Sequence, residues 1–359
     1  MKMKSNPLGM DRHMACRKYL VILTLVFLSS FLTSCGTNNA PTVSPSTSSV
    51  AGRDWYSSTL DAEFAPREGF LCVAFANRLW VIAGATGGSI LFNDVWCSWD
   101  GSRWRQVLAD AGSPGSGQFS QRGTSGVVFQ NKMWVIGGGG ADGSHNDVWS
   151  SSDGVSWNCV LPNAVSPGPN QFSPRGGNAS LVYNDKIWVI GGGTYGNLTN
   201  DVWCSPDGVH WTQVLADSGS PGPNQFSRRF AHKCLVHQNK MWLIGGADST
   251  YTALNDVWSS ADGVSWTQVL PNTATPPSTQ FSKRNQHACL EFDGAMWVIG
   301  GDGNDVWDST DGLNWTRVTA SANFPGRYDH CSVVFRNEMW VIGGFDSYIG
   351  LFNDVWHSP

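Results

Sequence analysis

The chain has 359 residues, 41 of them Gly and 19 Trp, with 41% apolar and only 14% charged residues. That composition can fill a core, so it excludes wholesale disorder, and Gly without a strict triplet period excludes a collagen-like rod. Net charge is −5, but the first 35 residues hold five cations (Lys2, Lys4, Arg12, Arg17, Lys18) against Asp11, which leaves a body of net −9. Such an acidic body repels phosphate backbones, and no nucleic-acid partner is expected.

Arg17-Lys18 precedes an apolar run from Tyr19 to Leu32, and Leu32-Thr33-Ser34-Cys35 follows directly. Fourteen apolar residues are short of the roughly 20 that span a bilayer, so residues 1–35 read as a signal peptide. The last four resemble a bacterial lipobox, which implies lipidation at Cys35 and an exported protein anchored to the outer membrane or cell surface. Met14 is a candidate start for that leader. Residues 36–51, rich in Ser, Thr and Pro and almost free of large apolar side chains, read as a flexible tether.

The remainder, 52–359, is a repeat. Trp-Val-Ile-Gly-Gly or a close variant recurs at Trp80, Trp134, Trp188, Trp242, Trp297 and Trp340. Asn-Asp-Val-Trp follows at Asn93, Asn146, Asn200, Asn255, Asn304 and Asn353, and Asp-Gly-x-x-Trp at Asp100, Asp153, Asp207, Asp262 and Asp311. Each unit also starts a strand at an Arg: Arg67, Arg122, Arg175, Arg229, Arg284 or Arg327. Apolar runs separated by turn signals give four short strands per unit, hence an all-β, six-bladed β-propeller of four-stranded antiparallel blades. Unit six stops at His357-Ser358-Pro359, and its missing piece lies at the other end, where Gly52-Arg53-Asp54-Trp55 aligns with Gly208 to Trp211. The N-terminal strand is therefore expected to complete the last blade.

The Gly-Gly after the second strand and the aromatic residues on strands three and four resemble kelch repeats of the galactose oxidase central-domain superfamily, over residues 52–359. The Ser-x-Asp-Gly turns also resemble sialidase Asp-boxes, one residue shorter, but no Tyr nucleophile with a paired carboxylate accompanies them. Inter-blade packing accounts for eighteen of the tryptophans and leaves only Trp99.

A position repeated in every blade most plainly serves the fold, and by that test the Asp of each Asn-Asp-Val-Trp caps a turn. Function is expected where blades differ, on the face carrying the long 2–3 and 4–1 loops, whose wall is lowest at blades five, six and one. The arginines form a ring at the channel mouth, either paired with loop carbonyls and a blade Asp or serving as a cationic collar for a carboxylate. Arg67, Arg284 and Arg327 are the ligand-binding candidates among them. His232, His287 and His330 follow their arginines by three residues. His232 joins the ligand-binding set with Tyr195, Tyr251, Tyr328 and Tyr348, while His287, His330, Asp329 and Glu68 are candidate proton-transfer groups. Cys72, Cys234 and Cys289 read as small buried thiols, Cys97 and Cys204 as unbridged. Without Cys-x-x-Cys, neither zinc nor another cofactor is implied.

The expected function is a tethered binding module that grips a protein or glycan through the long-loop face, the membrane being touched only through the lipid anchor. The alternative is an enzyme on acidic sugars, since exported bacterial six-bladed kelch proteins include a sialic acid mutarotase, a carbohydrate isomerase. Arg327 and its neighbours would then supply the carboxylate clamp and proton transfer.

Overall fold

Blade one sets the pattern. Its innermost strand, Leu71–Phe75, pairs with Arg78–Thr86, then Ile90–Ser98, then Trp104–Leu108, all antiparallel. The computed structural model describes residues 50–87, 90–112, 115–194, 196–301 and 303–359, and over these the pattern occurs six times. The leader with Cys35, nearly all of the 36–51 tether, and Tyr195 lie outside the described residues.

The six innermost strands (Leu71–Phe75, Arg122–Phe129, Ala179–Tyr183, Lys233–His237, Ala288–Phe292 and Cys331–Phe335) each neighbour the next, and the last neighbours the first. Blade six is completed from the other end of the chain: Tyr56–Thr59 pairs with Gly350–Ser358, Tyr56 opposite His357. Closure leaves no half-built blade with a naked edge.

Tryptophans fill the seams. Those on the fourth strands (Trp55, Trp104, Trp157, Trp211, Trp266, Trp315) are at most 5% exposed, and each meets a phenylalanine edge-on, as Trp104 meets Phe64 at 5.1 Å. Those on the second strands lie under the neighbouring blade's Asp-Gly turn. Gly154 has no room for a side chain because the Trp80 ring stands where its Cβ would be.

The conserved-looking repeat residues form one joint. In each blade the Arg donates two hydrogen bonds to the Asp of Asn-Asp-Val-Trp, Arg327 to Asp354 at 2.7 and 2.9 Å, and a third to the carbonyl of the first residue of the Gly-Gly pair, Gly343, at 2.8 Å. The same Asp accepts the indole N–H of its Trp, Trp356 at 2.8 Å. These aspartates are therefore ion-pair partners and not turn caps. Turn capping falls to the Asp of Ser-x-Asp-Gly, where Asp153 Oδ1 accepts the N–H groups of Val155 and Ser156, both at 2.8 Å. The second Gly carries the joint across the seam: Gly344 N–H donates to the Arg67 carbonyl of blade one at 2.9 Å, from a φ of +104° that suits glycine.

The second and third strands run to nine residues in blades one, two, three and six, but stop at Ile244 in blade four and Ile299 in blade five. The 2–3 hairpins of blades six and one thus stand as tall as those of two and three, and of that expected low stretch it is blade five, with no extended hairpin, where the wall drops.

Candidate functional site

Two residues after five of the six arginines the backbone turns left-handed: Gly69, Gly177, Ala231, Gln286 and Asp329 have φ of 63°, 61°, 53°, 55° and 47°, while Thr124 of blade two continues its strand. The turn aims each N–H sideways at the next blade. Asp329 donates to Gln286 O (2.8 Å), Gln286 to Ala231 O (3.0 Å), Ala231 to Gly177 O (2.8 Å), Gly69 to Asp329 O (3.1 Å) and Thr124 to Gly69 O (3.0 Å). The result is a belt of hydrogen bonds around the channel mouth.

Inside this belt lies a cavity of about 430 Å³. Its wall from blades one to three is rich in glycine, including Gly69, Gly123, Gly139 and Gly177, with the small or neutral polar side chains Thr124, Ser125 and Asn178 among them, whereas the charged and titratable groups His232, Lys233, Asp329 and His330, with Gln286, come from blades four to six. Gln286 Nε2 donates to Asp329 Oδ2 at 2.5 Å. Burial raises the Asp329 carboxyl above its ordinary range, and Glu68 is raised by burial and then by the Asp329 charge. Lys233 stands among these groups, its charge acting on Asp329 and on all three buried histidines.

Of the sequence candidates, Asp329, His232 and His330 line the cavity; His287 does not. The three imidazoles are 0–2% exposed, none makes a side-chain hydrogen bond among the described residues, His232 and His330 face the backbone of Ile190 and Ile299, and each Cε1 points at a glycine of the preceding blade (Gly191, Gly245, Gly300). Burial pushes His232 down to about 3 and the other two well below their usual value, with the nearby Arg adding to the effect. These are neutral side chains wedged between blades. Among the described residues no group of His, Cys, Asp and Glu is placed to hold a metal ion.

The arginine ring takes the first of its two readings. Arg67, Arg284 and Arg327 are 0–1% exposed, their donors are engaged by an Asp and backbone carbonyls of their own blades, and none lines the cavity. The cationic collar is therefore not formed, and the cation the cavity does hold, Lys233, escaped the sequence reading. Its signal is that the matching inner-strand positions are Leu71, Ala179, Ala288 and Cys331. Gln286 was missed likewise, although its column otherwise tends to small residues.

The tyrosines disperse. Tyr251, 57% exposed, packs edge-on against Phe230 (5.5 Å) and lines a second cavity of about 320 Å³ with Leu198, Asp248 and Ser249 between blades three and four. Gly176 and Phe230 line both cavities, so the groove adjoins the mouth. Tyr328 joins the strand-like bridge to Phe345, and Tyr348 stands 96% exposed on blade six.

Cys72 is not a free thiol: it is disulfide-bonded to Cys331, which joins the innermost strands of blades one and six. Cys331 sits one position ahead of the column that Cys72 occupies, so aligning the blades hides the pair. Cys234 and Cys289 are free, and burial raises both thiols, Cys289 to about 12.

Fold and joint together define a closed six-bladed propeller with a polar, one-sided mouth. Family models agree with that class: the KLHDC2/KLHL20/DRC7 Kelch-repeats domain matches residues 49–227, and the DUF6242 beta propeller domain matches residues 205–330. The chain is a kelch-repeat six-bladed β-propeller. Similar curated proteins include an F-box/kelch-repeat protein of Arabidopsis thaliana (30% identical over 36% of this chain and 28% of that protein) and Kelch repeat-containing protein 2 of Saccharomyces cerevisiae (27%, over 49% and 21%). The flagellar outer-arm dynein alpha chain of Chlamydomonas reinhardtii is 22% identical over 60% of this chain but only 5% of its own length. The chain thus spans less than a third of each of these relatives.

Proposed function

We propose that this propeller is an exported, lipid-anchored binding module that grips a protein partner at the channel mouth and the adjoining groove. Kelch propellers typically serve as protein-binding modules. The observation that carries the reading is the junction of the two cavities at Gly176 and Phe230, which offers a partner an apolar slot beside Tyr251 and a polar socket at Lys233, Gln286 and Asp329. The Cys72–Cys331 disulfide supports export, because such bridges persist in oxidising compartments. A glycan could use the same socket. The acidic-sugar enzyme is less well supported, because the arginines meant to clamp the carboxylate are engaged within their blades and His287 stands apart from the cavity.

A photo-crosslinking residue at Tyr251, compared with one at Val155 on the opposite face, tests this in cells. Discrete crosslinked proteins from position 251, absent from 155 and reduced by Asp329→Gly, are expected. If both positions capture the same proteins, or neither does, while saturation transfer from a panel of neutral and acidic sugars is strong, the protein-binding reading fails in favour of a sugar ligand.

A further inference from the structure

Across the mouth from the groove at Tyr251, the 2–3 hairpins of blades six and one present an apolar cluster to solvent. Ile90 on blade one and Tyr348 and Ile349 on blade six are more than half exposed, as is Leu60 in the loop that leads from blade six to blade one. The repeat requires none of them. Where blade one has Ile90 and Leu91, blade two has Gly143 and Ser144, and where Leu60 stands the other blades have Ala109, Pro162, Ala216, Pro271 and Ala320. Exposed apolar side chains gathered at one place, with no duty in the fold, mark an interaction surface.

The hairpins are held in place. Asp346 Oδ1 accepts the N–H groups of Tyr348 and Ile349, both at 2.8 Å, and at the foot of each hairpin a Phe covers an arginine of the Arg–Asp joint, Phe92 at 4.4 Å from Arg67 and Phe352 at 4.5 Å from Arg327. Arg67 and Glu68 stitch the two hairpins to each other: Arg67 N–H donates to Phe352 O (3.0 Å), and Glu68 and Ala85 exchange two backbone hydrogen bonds of 2.9 Å. The charge around them is of one sign. Asp61, Glu63, Glu68, Asp329 and Asp346 surround the cluster, whereas Arg67 and Arg327 are buried in their ion pairs with Asp94 and Asp354. The other cations of this face among the described residues, Arg228, Lys233 and Lys283, belong to blade four and the loops on either side of it.

We propose that Leu60, Ile90, Tyr348 and Ile349 form a second docking surface, for a segment of a partner protein whose apolar side chains are flanked by Lys or Arg. Apolar anchors would cover the hairpins, and the flanking cations would meet Glu68, Asp61 and Asp329 at the rim. Charge chooses this occupant over the alternatives. A second copy set against the same face would oppose carboxylate to carboxylate, and an anionic lipid surface is repelled in the same way. The surface does not depend on the groove at Tyr251, which lies between blades three and four, so either can fail without the other.

The test selects a phage-displayed library of random 12-residue peptides against the full chain and measures the enriched peptides, made synthetically, by fluorescence anisotropy. Enriched sequences are expected to carry net positive charge and large apolar residues. Their affinity is expected to fall at least about tenfold in Ile90→Ser/Tyr348→Ser/Ile349→Ser, and about threefold both in Asp61→Asn/Glu68→Gln and on raising salt from about 50 to 500 mM. Tyr251→Ser is expected to leave it unchanged. The triple variant changes only solvent-facing side chains, so its denaturant midpoint should match the parent's. No enrichment, enrichment of neutral or acidic sequences, or binding that the triple variant does not weaken overturns the proposal. Binding lost in Tyr251→Ser but kept in the triple variant assigns the peptides to the groove and overturns it too. A dimer in sedimentation that the triple variant abolishes gives the surface to a second copy instead.

Discussion

The two halves of the channel mouth share one backbone and differ in what hangs from it. From blade one to blade three the belt and its surroundings are glycine-rich, and a side chain added at Gly69 or Gly139 would meet nothing within 4 Å. From blade five to blade six the same left-handed positions carry Gln286 and Asp329. A φ near 50° costs glycine little and an ordinary L-residue about 1 kcal/mol, so the fold by itself favours glycine throughout. Gln286 and Asp329 stand there against local preference, which sets that half apart and is what the proposed binding role would require.

The sharpest way to break the comparison is to attack what both halves share. Removing one partner of a buried ion pair strands the other, at about 3–5 kcal/mol. Arg122→Ala in the glycine half and Arg327→Ala in the other are expected to lose that much alike, read from denaturant midpoints. Arg284→Ala is expected to lose less, because its Asp305 side chain is 21% exposed against 6% and 8% for Asp147 and Asp354. A clear difference between Arg122 and Arg327 would mean that one of the halves leans on its joint for more than the fold.

Next comes the clasp. Cys72–Cys331 closes on the inner rim the same gap that Tyr56–Thr59 closes on the outer, and losing it is expected to cost about 2–5 kcal/mol. In Cys331→Ser, hydrogen exchange should quicken in blades six and one before blade three. Uniform exchange around the ring would show that the outer strand alone holds the closure.

The buried histidines sharpen the contrast through pH. Their native pKa values lie below the ordinary 6.5, so as pH falls below 6.5 the unfolded chain takes up protons that the native one refuses, and stability is lost down to about pH 3 for His232. Each histidine contributes a slope approaching about 1.4 kcal/mol per pH unit. Asp329 and Glu68 act in the opposite sense: their native values are raised, so the native state holds protons that the unfolded chain has released, and they return part of that stability as pH falls toward their ordinary range. Replacing His232 by Asn, as blade three has Asn178, should flatten the slope between pH 7 and 5 by one histidine's share. An unchanged slope would mean that His232 is protonated in the native state after all.

How much of this was legible follows from how far apart the interacting residues lie. The blades, the closing strand and the packing tryptophans are periodic, and six repetitions in one chain stand in for an alignment. The Arg–Asp joint was half legible: repetition showed that all six arginines share one role but could not choose between collar and pair. The Asp looked like a turn cap because its partner stands 27 residues away in sequence, as Arg67 does from Asp94. The disulfide was hidden by a one-position offset between the two ends of the body. Lys233 and Gln286 were overshadowed by the neighbouring histidine column, which proved to be packing; the better signal was a polar side chain in a column of small or apolar ones.

The smallest expected effect separates the two halves most directly. Asp329→Gly with Gln286→Gly removes two left-handed side chains, relieving about 1 kcal/mol each, and loses one hydrogen bond worth about 0.5–1.5 kcal/mol. The double variant is therefore expected to be about 0.5–1.5 kcal/mol more stable than the parent, while crosslinking from Tyr251 is lost. The reciprocal change, Gly69→Asp, places a carboxylate where there is open space but a φ of +63°, and is expected to cost about 1 kcal/mol with no gain in binding. Stability and binding thus move in opposite directions in one half, and only stability moves in the other. If the double glycine variant instead lost more than about 2 kcal/mol, beyond what one hydrogen bond explains, Gln286 and Asp329 would be part of the scaffold and the asymmetry of the mouth would have no bearing on ligands.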